Sequence, residues 1–305
     1  MLKAHCHHNI VFDGPHPINQ LADPNGIADG FWQPFYASFP DMVRQPYIFI
    51  GGSSFDGTTW VSSTGDFIGT FSHDWLGIPA TGDSIHLRYG EFCKIYDGKI
   101  AEIILLLDIP DLLQQARLEI FPPSSGKKIW IPGPSTGDGI LLEEQDAIES
   151  KKSLDLVDAM LLGLISFDQK DKASMGMSRY WREDMHWYGP AGIGTIYGLS
   201  EFEDRHEMQL LKAFPDRKGG HHRSRFGEGC YAAITGWPSI YATHVDTYLG
   251  APATGNKVTM RVMDWWRREN NLLVENWVFV DLIDLFLQCE IDIFDNLSHY
   301  IRTVN

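Results

Sequence analysis

Leu76-Gly77-Ile78-Pro79-Ala80-Thr81-Gly82 is repeated later in the chain as Leu249-Gly250-Ala251-Pro252-Ala253-Thr254-Gly255. After each copy the sequence has the same layout: an alternating run, a turn, an apolar run, and an aspartate 31 residues after the first glycine of the motif. A single offset of 173 residues aligns the two regions without a gap. The sequence therefore predicts two copies of one domain. The aligned acidic positions are Glu91 with Asp264, Glu102 with Glu275, Asp108 with Asp281 and Asp111 with Asp284.

The length of the chain fits this duplication, because 305 residues are enough for two domains of about 150 residues. We place the first domain at residues 1–121, a Pro/Gly-rich linker at 122–150 and the second domain at 151–305. Apolar residues at helical spacing in 154–167 predict a helix, with Ser153 as its cap. No such helix precedes the first copy. Its N-terminal helix is missing, lies upstream, or is replaced by another element.

The net charge and the composition of the chain indicate which classes of binding partner are expected. There are 40 Asp and Glu residues against 25 Lys and Arg, so the net charge of −15 disfavours nucleic acid. Apolar runs fall short of the roughly 20 residues that span a membrane, and the first residues do not form a signal peptide. We expect a cytoplasmic protein with no membrane partner. A small apolar or aromatic molecule is the expected ligand.

The cysteines and histidines do not predict a disulfide framework or a metal site. The four cysteines form no paired spacing, so we expect free thiols. His5-Cys6-His7-His8 carries metal-capable side chains, but adjacent ligands without a second cluster rarely form a closed zinc site. We predict neither a metal nor an organic cofactor.

Each copy also predicts a β-hairpin that ends at the aspartate found at the same place in both copies. Asp97-Gly98 favours a type I′ turn in the first copy, and Asn270-Asn271 marks the turn in the second. A two-residue turn there would place Trp277 opposite Asp264 and Asp281 opposite Met260. The predicted strands are Ser84–Tyr96 and Lys99–Leu107 in the first copy, and Lys257–Glu269 and Leu272–Val280 in the second.

Strands and a hairpin that follow a helix suggest an α+β roll. The second copy reads Thr243-His244-x-x-x-Tyr248-Leu249-Gly250-x-Pro252-Ala253-Thr254-Gly255, then Glu275-x-Trp277-x-x-x-Asp281 and Leu285-x-x-Gln288. This pattern resembles the SnoaL-like polyketide cyclase (ester cyclase) family of the nuclear transport factor 2-like superfamily. The resemblance implies two tandem cone-shaped α+β rolls of cystatin-like type, each a curved antiparallel sheet with helices on one side around a ligand cavity. It also implies pairing of two such domains, as an intramolecular pseudo-dimer or a homo-oligomer.

The resemblance implies an acid/base role for the aspartate after the late strand, in an intramolecular aldol closure. That residue is Asp281 in the second copy and Asp108 in the first. The histidine of the family pattern corresponds to His244, whereas the first copy has Phe71 there, and Ile104 replaces Trp277. The second copy is therefore the better candidate for catalysis.

Physical alternatives stay open for these residues. Asp281 either acts as the acid/base or caps a helix at 282–288. Asp264 either lines the cavity or forms a surface ion pair with Arg267 or Arg268. His244 either donates a proton to an enolate or is a buried strand-end residue. The residues expected to line a ligand cavity are Trp277, Asp264, Met260, Trp187 and Tyr248.

Two classes of function follow from these residues. The first is cofactor-free acid/base chemistry on an apolar carbonyl compound, an aldol-type cyclisation or a related lyase, dehydratase or isomerase reaction. The second is small-molecule binding without catalysis, because a fold of this kind does not determine the activity.

Overall fold

Each predicted hairpin is formed, and its strands have the predicted bounds. The computed structural model describes residues 2–121 and 123–304. At the first turn Asp97 and Gly98 both have positive φ, 50° and 68°, as a type I′ turn requires. The hairpin strands coincide with the runs of alternating residues that predicted them.

The first half of the chain forms a six-stranded sheet with the strand order β2-β1-β6-β5-β4-β3. Its strands are β1 (Cys6–Asp13), β2 (Gln20–Ala22), β3 (Val43–Ser53), β4 (Thr59–Thr70), β5 (Ser84–Tyr96) and β6 (Lys99–Leu107). Its helices are α1 (Leu2–His5), α2 (Pro24–Ile27), α3 (Gln33–Ser38) and α4 (Ile109–Gln115).

The second half forms a seven-stranded sheet with the order β10-β11-β12-β13-β7-β8, and β9 pairs with β11 beside β10. Its strands are β7 (Trp181–Tyr188), β8 (Thr195–Tyr197), β9 (Lys218–Gly219), β10 (His222–Glu228), β11 (Tyr231–Thr243), β12 (Lys257–Glu269) and β13 (Leu272–Val280). Its helices are α5 (Ala147–Ile165), α6 (Leu199–Phe202), α7 (Met208–Ala213), α8 (Leu282–Gln288) and α9 (Ile293–Val304).

The two sheets have the same topology, and this confirms the α+β fold class. In each sheet one pair of strands is parallel, β1 with β6 and β7 with β13, and the other pairs are antiparallel. The sheets are therefore mixed, because the first strand of each half runs beside the last strand of its hairpin. Two side chains mark the equivalence: Asp41 accepts from the backbone and hydroxyl of Thr70, and Asp216 does the same with Thr243.

A helical layer covers the concave face of each sheet. In the first half α2 and α3 are joined by a π-helical turn at Ala28–Trp32, and in the second half α6 and α7 are joined by one at Glu203–Glu207. The two turns are 175 residues apart, the same offset that aligns Asp41 with Asp216. Among the described residues, no helix is long and apolar enough to cross a membrane.

Helix α5 begins earlier than the sequence predicts. Asp146, not Ser153, is its cap, because the Asp146 carboxylate accepts from the backbone N–H of Ile148 (2.7 Å) and of Glu149 (3.0 Å). Ser153 lies inside the helix, where its hydroxyl donates to the carbonyl of Gly229 (2.7 Å) at the turn between β10 and β11. The predicted cap therefore fastens the helix to the sheet instead.

The segment between α4 and α5 contacts both halves. The backbone N–H of Phe49 in β3 donates to the carbonyl of Gly139 (2.8 Å), and the N–H of Lys127 donates to the carbonyl of Thr195 in β8 (2.7 Å). This segment, within the proposed linker 122–150, therefore adds backbone hydrogen bonds to both sheets.

The convex faces of the two sheets pack against each other and form one buried apolar layer. Trp265 of the second half stacks near Phe92 of the first, with ring centroids 5.1 Å apart, and its indole N–H donates to the Ser62 hydroxyl (3.0 Å). Gly90 permits this close approach, since a Cβ there would lie 2.8 Å from the Trp265 ring. Other members of the layer are Ile48, Ile50, Trp60, Ile104, Leu106, Tyr188, Phe226, Tyr231, Met263, Trp277 and Phe279.

Trp277 lies in this layer and not in a ligand cavity, which corrects the sequence prediction. A register shift between Arg267 and Arg268 displaces the inner part of the β12–β13 pair by one residue, so Trp277 faces Trp265 and not Asp264. A one-residue displacement exchanges the two faces of a strand relative to its partner. The Trp277 indole N–H donates to the carbonyl of Pro132 (2.9 Å).

We predict that Trp277→Ala destabilises the protein by about 3–5 kcal/mol, because it leaves a large cavity between the sheets. Urea denaturation followed by circular dichroism measures the loss. Trp130→Ala is the matched control, since this side chain is 60% exposed. A loss below about 1 kcal/mol for Trp277→Ala would show that the sheet-to-sheet layer contributes little.

Candidate functional site

Asp281 is held by polar contacts at the start of α8. Its carboxylate accepts from the backbone N–H of Asp284 (3.2 Å) and, from the other half of the chain, from that of His16 (3.0 Å). Nη1 of Arg261 lies 3.0 Å from its Oδ2. Burial raises the pKa of Asp281 to about 6, although the Arg261 charge acts to lower it. Asp281 thus caps its own helix and fastens it to the first half.

Asp108 makes the corresponding contacts from the first half. Its carboxylate accepts from the backbone N–H of Asp111 (3.3 Å) at the start of α4 and from that of Ala191 (3.1 Å) in the second half. Nη1 of Arg88 lies 3.4 Å away, and burial raises the pKa of Asp108. The two aspartates therefore make equivalent contacts: each caps a helix of its own half and accepts a backbone hydrogen bond from the other half. We call them the clasps. Their contacts are those expected of helix caps, the second of the two roles considered for Asp281.

His244 is part of an aromatic core. It is fully buried, its ring stacks on Phe214 with centroids 5.3 Å apart, and its Nδ1 lies 3.2 Å from the Thr254 hydroxyl. Burial lowers its pKa, which favours the neutral ring. Phe71 in the first half stacks in the same way on Phe39, at 4.8 Å. At this position, therefore, both halves have a ring that packs in the aromatic core.

The structure does not bring His244 and Asp281 together. The backbone of His244 pairs with that of Asn256, just before β12 begins at Lys257. The residue that holds Asp281 is Arg261, five residues after Asn256. At about 3.3 Å per residue this separation is roughly 17 Å along the strand.

Asp264 lies on the concave face of the second sheet, under the helices. It faces Val278 across the β12–β13 pair, and its Oδ1 is 3.4 Å from the amide nitrogen of Asn276. Burial raises its pKa to about 7, and the negative charge of Glu207 adds to the increase. Asp264 as a residue is half-buried. Arg267 and Arg268, the sequence-predicted ion-pair partners, bind Glu275 and Glu149 instead.

Glu207 and Tyr248 lie near Asp264, since the negative charge of Glu207 acts on the pKa of both other groups. Glu207 is buried in the π-helical turn, and burial raises its pKa to about 7, although the Arg217 charge acts to lower it. The Tyr248 hydroxyl has its pKa raised by burial and by the Glu207 charge. Among the described residues, neither the Glu207 carboxylate nor the Tyr248 hydroxyl has a hydrogen-bond partner. We call Asp264, Glu207 and Tyr248 the acidic pocket.

Aromatic and apolar side chains lie on the same side of the second sheet as the acidic pocket. Trp187 is buried and stacks on His206, with centroids 4.3 Å apart, one residue before Glu207. Met260 is buried and lies on the same face of β12 as Asp264, four residues earlier. Of the residues predicted to line a cavity, four therefore lie on the concave side: Asp264, Tyr248, Trp187 and Met260.

The first half has a different set of residues at the same positions. The offsets align Glu207 with Trp32, Tyr248 with Trp75 and Asp264 with Glu91. Glu91 is paired with Arg44, whose Nη2 lies 2.6 Å from its Oε2. The acidic pocket is therefore absent from the described part of the first half, where an ion pair neutralises the remaining acid.

A cavity of about 670 Å³ lies under the helices of the first half. It is lined by Trp32 and Tyr36 of the helical layer and by Arg44, Glu91 and Cys93 of the sheet. This size is ordinary for a small-molecule site.

Glu207 is the residue that sequence reasoning missed. It lies in a helical segment with other charged residues, Asp204 and Arg205, which are exposed, so its sequence neighbourhood does not distinguish it. Its alignment with Trp32, a large apolar residue in the other copy, was the available signal. Among the described residues, no group of three or more His, Cys, Asp or Glu side chains has a geometry that could hold a metal ion.

We predict that Asp108→Ala destabilises the protein more than Asp281→Ala does. Arg88, with 5% of its side chain exposed, would lose its carboxylate partner, which costs about 3–5 kcal/mol for a buried pair. Arg261 is more exposed and keeps Asp284 at 3.4 Å, so about 1–3 kcal/mol is expected for Asp281→Ala. Urea denaturation of both variants checks the order. The reverse order would contradict the proposed difference in burial.

We predict that Asp264→Asn stabilises the protein at pH 8. The folded-state pKa of Asp264, about 7, is above its ordinary value of 3.8. The native state therefore binds the proton more tightly, and its stability falls as the pH rises from about 4 through 7. Removing the charge relieves this loss, by about 1.4 kcal/mol per unit of pKa increase.

Urea denaturation between pH 4 and 8 measures this difference. It should shrink toward pH 4, where the wild-type carboxyl is protonated. Asp97→Asn, at an exposed turn, is the control and should follow the wild-type curve. A variant that is less stable than the wild type at pH 8 would contradict an unpaired carboxylate in the pocket.

Comparison with known proteins gives one family match, which lies within the second half. Residues 170–289 match the family model described as SnoaL-like polyketide cyclase. The match contains β7–β13 and α8, and so includes all three residues of the acidic pocket. None of the curated proteins matches this chain.

Several solved structures are similar to about half of the chain. A candidate SnoaL-like polyketide cyclase from Jannaschia sp. CCS1 is 12% identical, with a TM-score of 0.42, over 48% of this chain and 97% of that one. TsrD from Streptomyces laurentii is 18% identical, with a TM-score of 0.38, over 48% and 98%. An NTF2-like protein from Burkholderia xenovorans LB400 is 12% identical, with a TM-score of 0.35, over 46% and 97%.

The seven-stranded sheet of the second half and the helix α8 after it thus lie in the part of the chain, residues 170–289, that matches the SnoaL-like polyketide cyclase family model.

Proposed function

We propose that the second half catalyses cofactor-free acid/base chemistry on a small apolar carbonyl compound, with Asp264 as the group that removes a proton beside the carbonyl. One observation carries the proposal: Asp264 and Glu207 are acids whose charges interact on the concave side, and among the described residues neither carboxylate forms an ion pair, although the Arg217 charge acts on Glu207. This assignment moves the catalytic role from Asp281, which caps α8, to Asp264.

The environment of Asp264 suits it to proton transfer at neutral pH. A general base works best when its pKa lies near the working pH, and burial raises that of Asp264 to about 7. The amide of Asn276 donates to one oxygen at 3.4 Å and leaves the other available. Asn276 is therefore a positioning residue for the base.

Glu207 and Tyr248 are suited to act as proton donors. Two interacting carboxyls in an apolar enclosure do not both ionise readily, so one of them holds a proton when the other is charged. The Tyr248 hydroxyl stays protonated, since its pKa is raised. Either group can donate a hydrogen bond to a carbonyl oxygen as negative charge develops there.

An aldol-type cyclisation uses these groups in sequence. Asp264 takes the proton from the carbon beside one carbonyl, and the enolate attacks a second carbonyl of the same molecule. A carbon–carbon bond forms, the second oxygen becomes an alkoxide, and this alkoxide takes a proton from the pocket. A dehydratase or isomerase reaction would begin with the same proton removal. The walls of Trp187 and Met260 favour an apolar or aromatic substrate.

Small-molecule binding without catalysis is a second candidate function, and it belongs to the first half. There the 670 Å³ cavity has aromatic walls, while the Arg44–Glu91 ion pair leaves no free carboxylate to remove a proton. The two halves would then differ in role.

Exchange of the α-protons of 2-tetralone in D₂O, followed by proton NMR, tests the catalytic proposal without knowledge of the natural substrate. The wild-type protein should accelerate the exchange. Asp264→Asn should lower the catalysed rate by about 10²–10⁴-fold, the usual contribution of a general base.

Two variants serve as controls for this experiment. Glu91→Gln changes the aligned position in the first half, and Asp281→Asn changes the clasp; both should keep the wild-type rate. Loss of exchange in Asp281→Asn together with its retention in Asp264→Asn would return the acid/base role to the end of β13. No acceleration by the wild-type protein would instead favour the binding function.

A further inference from the structure

A second cavity, of about 430 Å³, lies where the two halves and the connecting segment meet. Its first-half wall is formed by Asp66 of β4 and by His86 and Arg88 of β5. Its second-half wall contains Gly189 and Thr195, on either side of the loop between β7 and β8. We call it the junction cavity. It opens on the convex side of the first sheet, away from both concave pockets.

Asp66 is the distinctive group in the junction cavity. Its residue is 6% exposed, and among the described residues its carboxylate has neither a hydrogen bond nor an ion pair. A buried carboxylate without a partner is unfavourable in the empty protein. It is thus available to whatever enters the cavity.

The neighbouring cation does not satisfy Asp66. The guanidinium of Arg88 is directed to Asp108 (3.4 Å) and to the carbonyl of Gly189 (2.9 Å), and it lies 4.4 Å over the Phe279 ring. These contacts hold Arg88 in the junction between the halves. Nε of Arg88 has no hydrogen-bond partner among the described residues, and the Arg88 charge acts to lower the pKa of Asp66. Arg88 nevertheless makes neither a hydrogen bond nor an ion pair with the Asp66 carboxylate, whose oxygens stay available to a donor that enters the cavity.

The mouth of the cavity presents an aromatic surface beside this carboxylate. Trp130, on the connecting segment, is 60% exposed, and its ring lies 3.5 Å from that of His86. An indole face attracts a cation and also stacks on an apolar ring. A carboxylate beneath an exposed indole suits an ammonium group joined to an aromatic ring.

The lysines at the mouth already interact with other groups. Nζ of Lys127 lies 5.0 Å over the Tyr197 ring, and the charge of Lys128 acts on Asp111, whose pKa it lowers against the effect of burial. They therefore do not convert the cavity into a site for anions.

We propose that the junction cavity binds a small aromatic amine, with its ammonium group on the Asp66 carboxylate and its ring on Trp130. The proposal is independent of the reaction proposed for the acidic pocket, because it uses none of the same residues.

Binding of phenethylamine, measured by isothermal titration calorimetry and by saturation-transfer NMR, tests the site. Asp66→Asn should weaken binding by about ten- to hundredfold, as expected for loss of a hydrogen bond to a charged group. Trp130→Ala should weaken it several-fold, and since this residue is on the surface its variant should fold normally. Asp83→Asn, at an exposed aspartate, should bind as the wild type does.

Two analogues of phenethylamine test whether binding depends on its positive charge. The neutral 2-phenylethanol should bind at least about tenfold more weakly than phenethylamine, and the anionic 3-phenylpropanoate more weakly still. Thermal denaturation of Asp66→Asn confirms that the variant is folded. The proposal is overturned if phenethylamine does not bind at millimolar concentration, if Asp66→Asn keeps the wild-type affinity, or if the alcohol or the anion binds as tightly as the amine.

Discussion

The packing of one sheet on the other is the constraint on which the rest of this structure depends. The convex faces bury each other through Trp265, Trp277 and their apolar neighbours, so the concave faces are left for the acidic pocket and for the 670 Å³ cavity, while the junction cavity lies where the two halves meet. The clasps of Asp108 and Asp281 fasten the edges of the same junction, each by capping its own helix and accepting from the opposite half. An aspartate engaged in this way has little freedom to transfer protons. The acids of the acidic pocket take no part in these clasps and lie on the concave side.

On the concave side the two halves differ in the partner that the acidic residue at the aligned position has. In the first half the carboxylate of Glu91 forms an ion pair with the guanidinium of Arg44, which favours its charged form and occupies it. In the second half the carboxylate of Asp264 has an amide neighbour and a second acid, Glu207, so its ionised form is disfavoured. An unpaired buried acid lowers stability at neutral pH, and groups of this kind are common in active sites. This asymmetry is the basis on which we propose proton transfer for the second half and binding for the first.

Local patterns in the sequence predicted much of the fold but not the roles of the acids. Alternation and turn chemistry defined both hairpins with the observed bounds, because these depend on neighbouring residues. A one-residue register shift after Arg267 is a local irregularity that alternation does not reveal, and it moved Trp277 to the sheet-to-sheet layer. The contact between Asp281 and the backbone of His16 joins residues 265 positions apart. The burial of Glu207 could not be predicted from the sequence, because it depends on which face of the helical layer covers the sheet.

Duplication within one chain explains how these differences could be maintained. In a symmetric homodimer every substitution appears in both subunits, so an acidic pocket and an ion-paired pocket could not coexist. In a single chain Glu207 and Trp32 occupy equivalent places without conflict. The connecting segment adds a further asymmetry, because it passes one side of the junction and places Trp130 beside Asp66. At the position aligned with Asp66 the second half has Ser239, whose hydroxyl donates to the Gly236 carbonyl. The unpaired carboxylate of the junction cavity therefore occurs only on the side where the connecting segment closes over it, among the described residues.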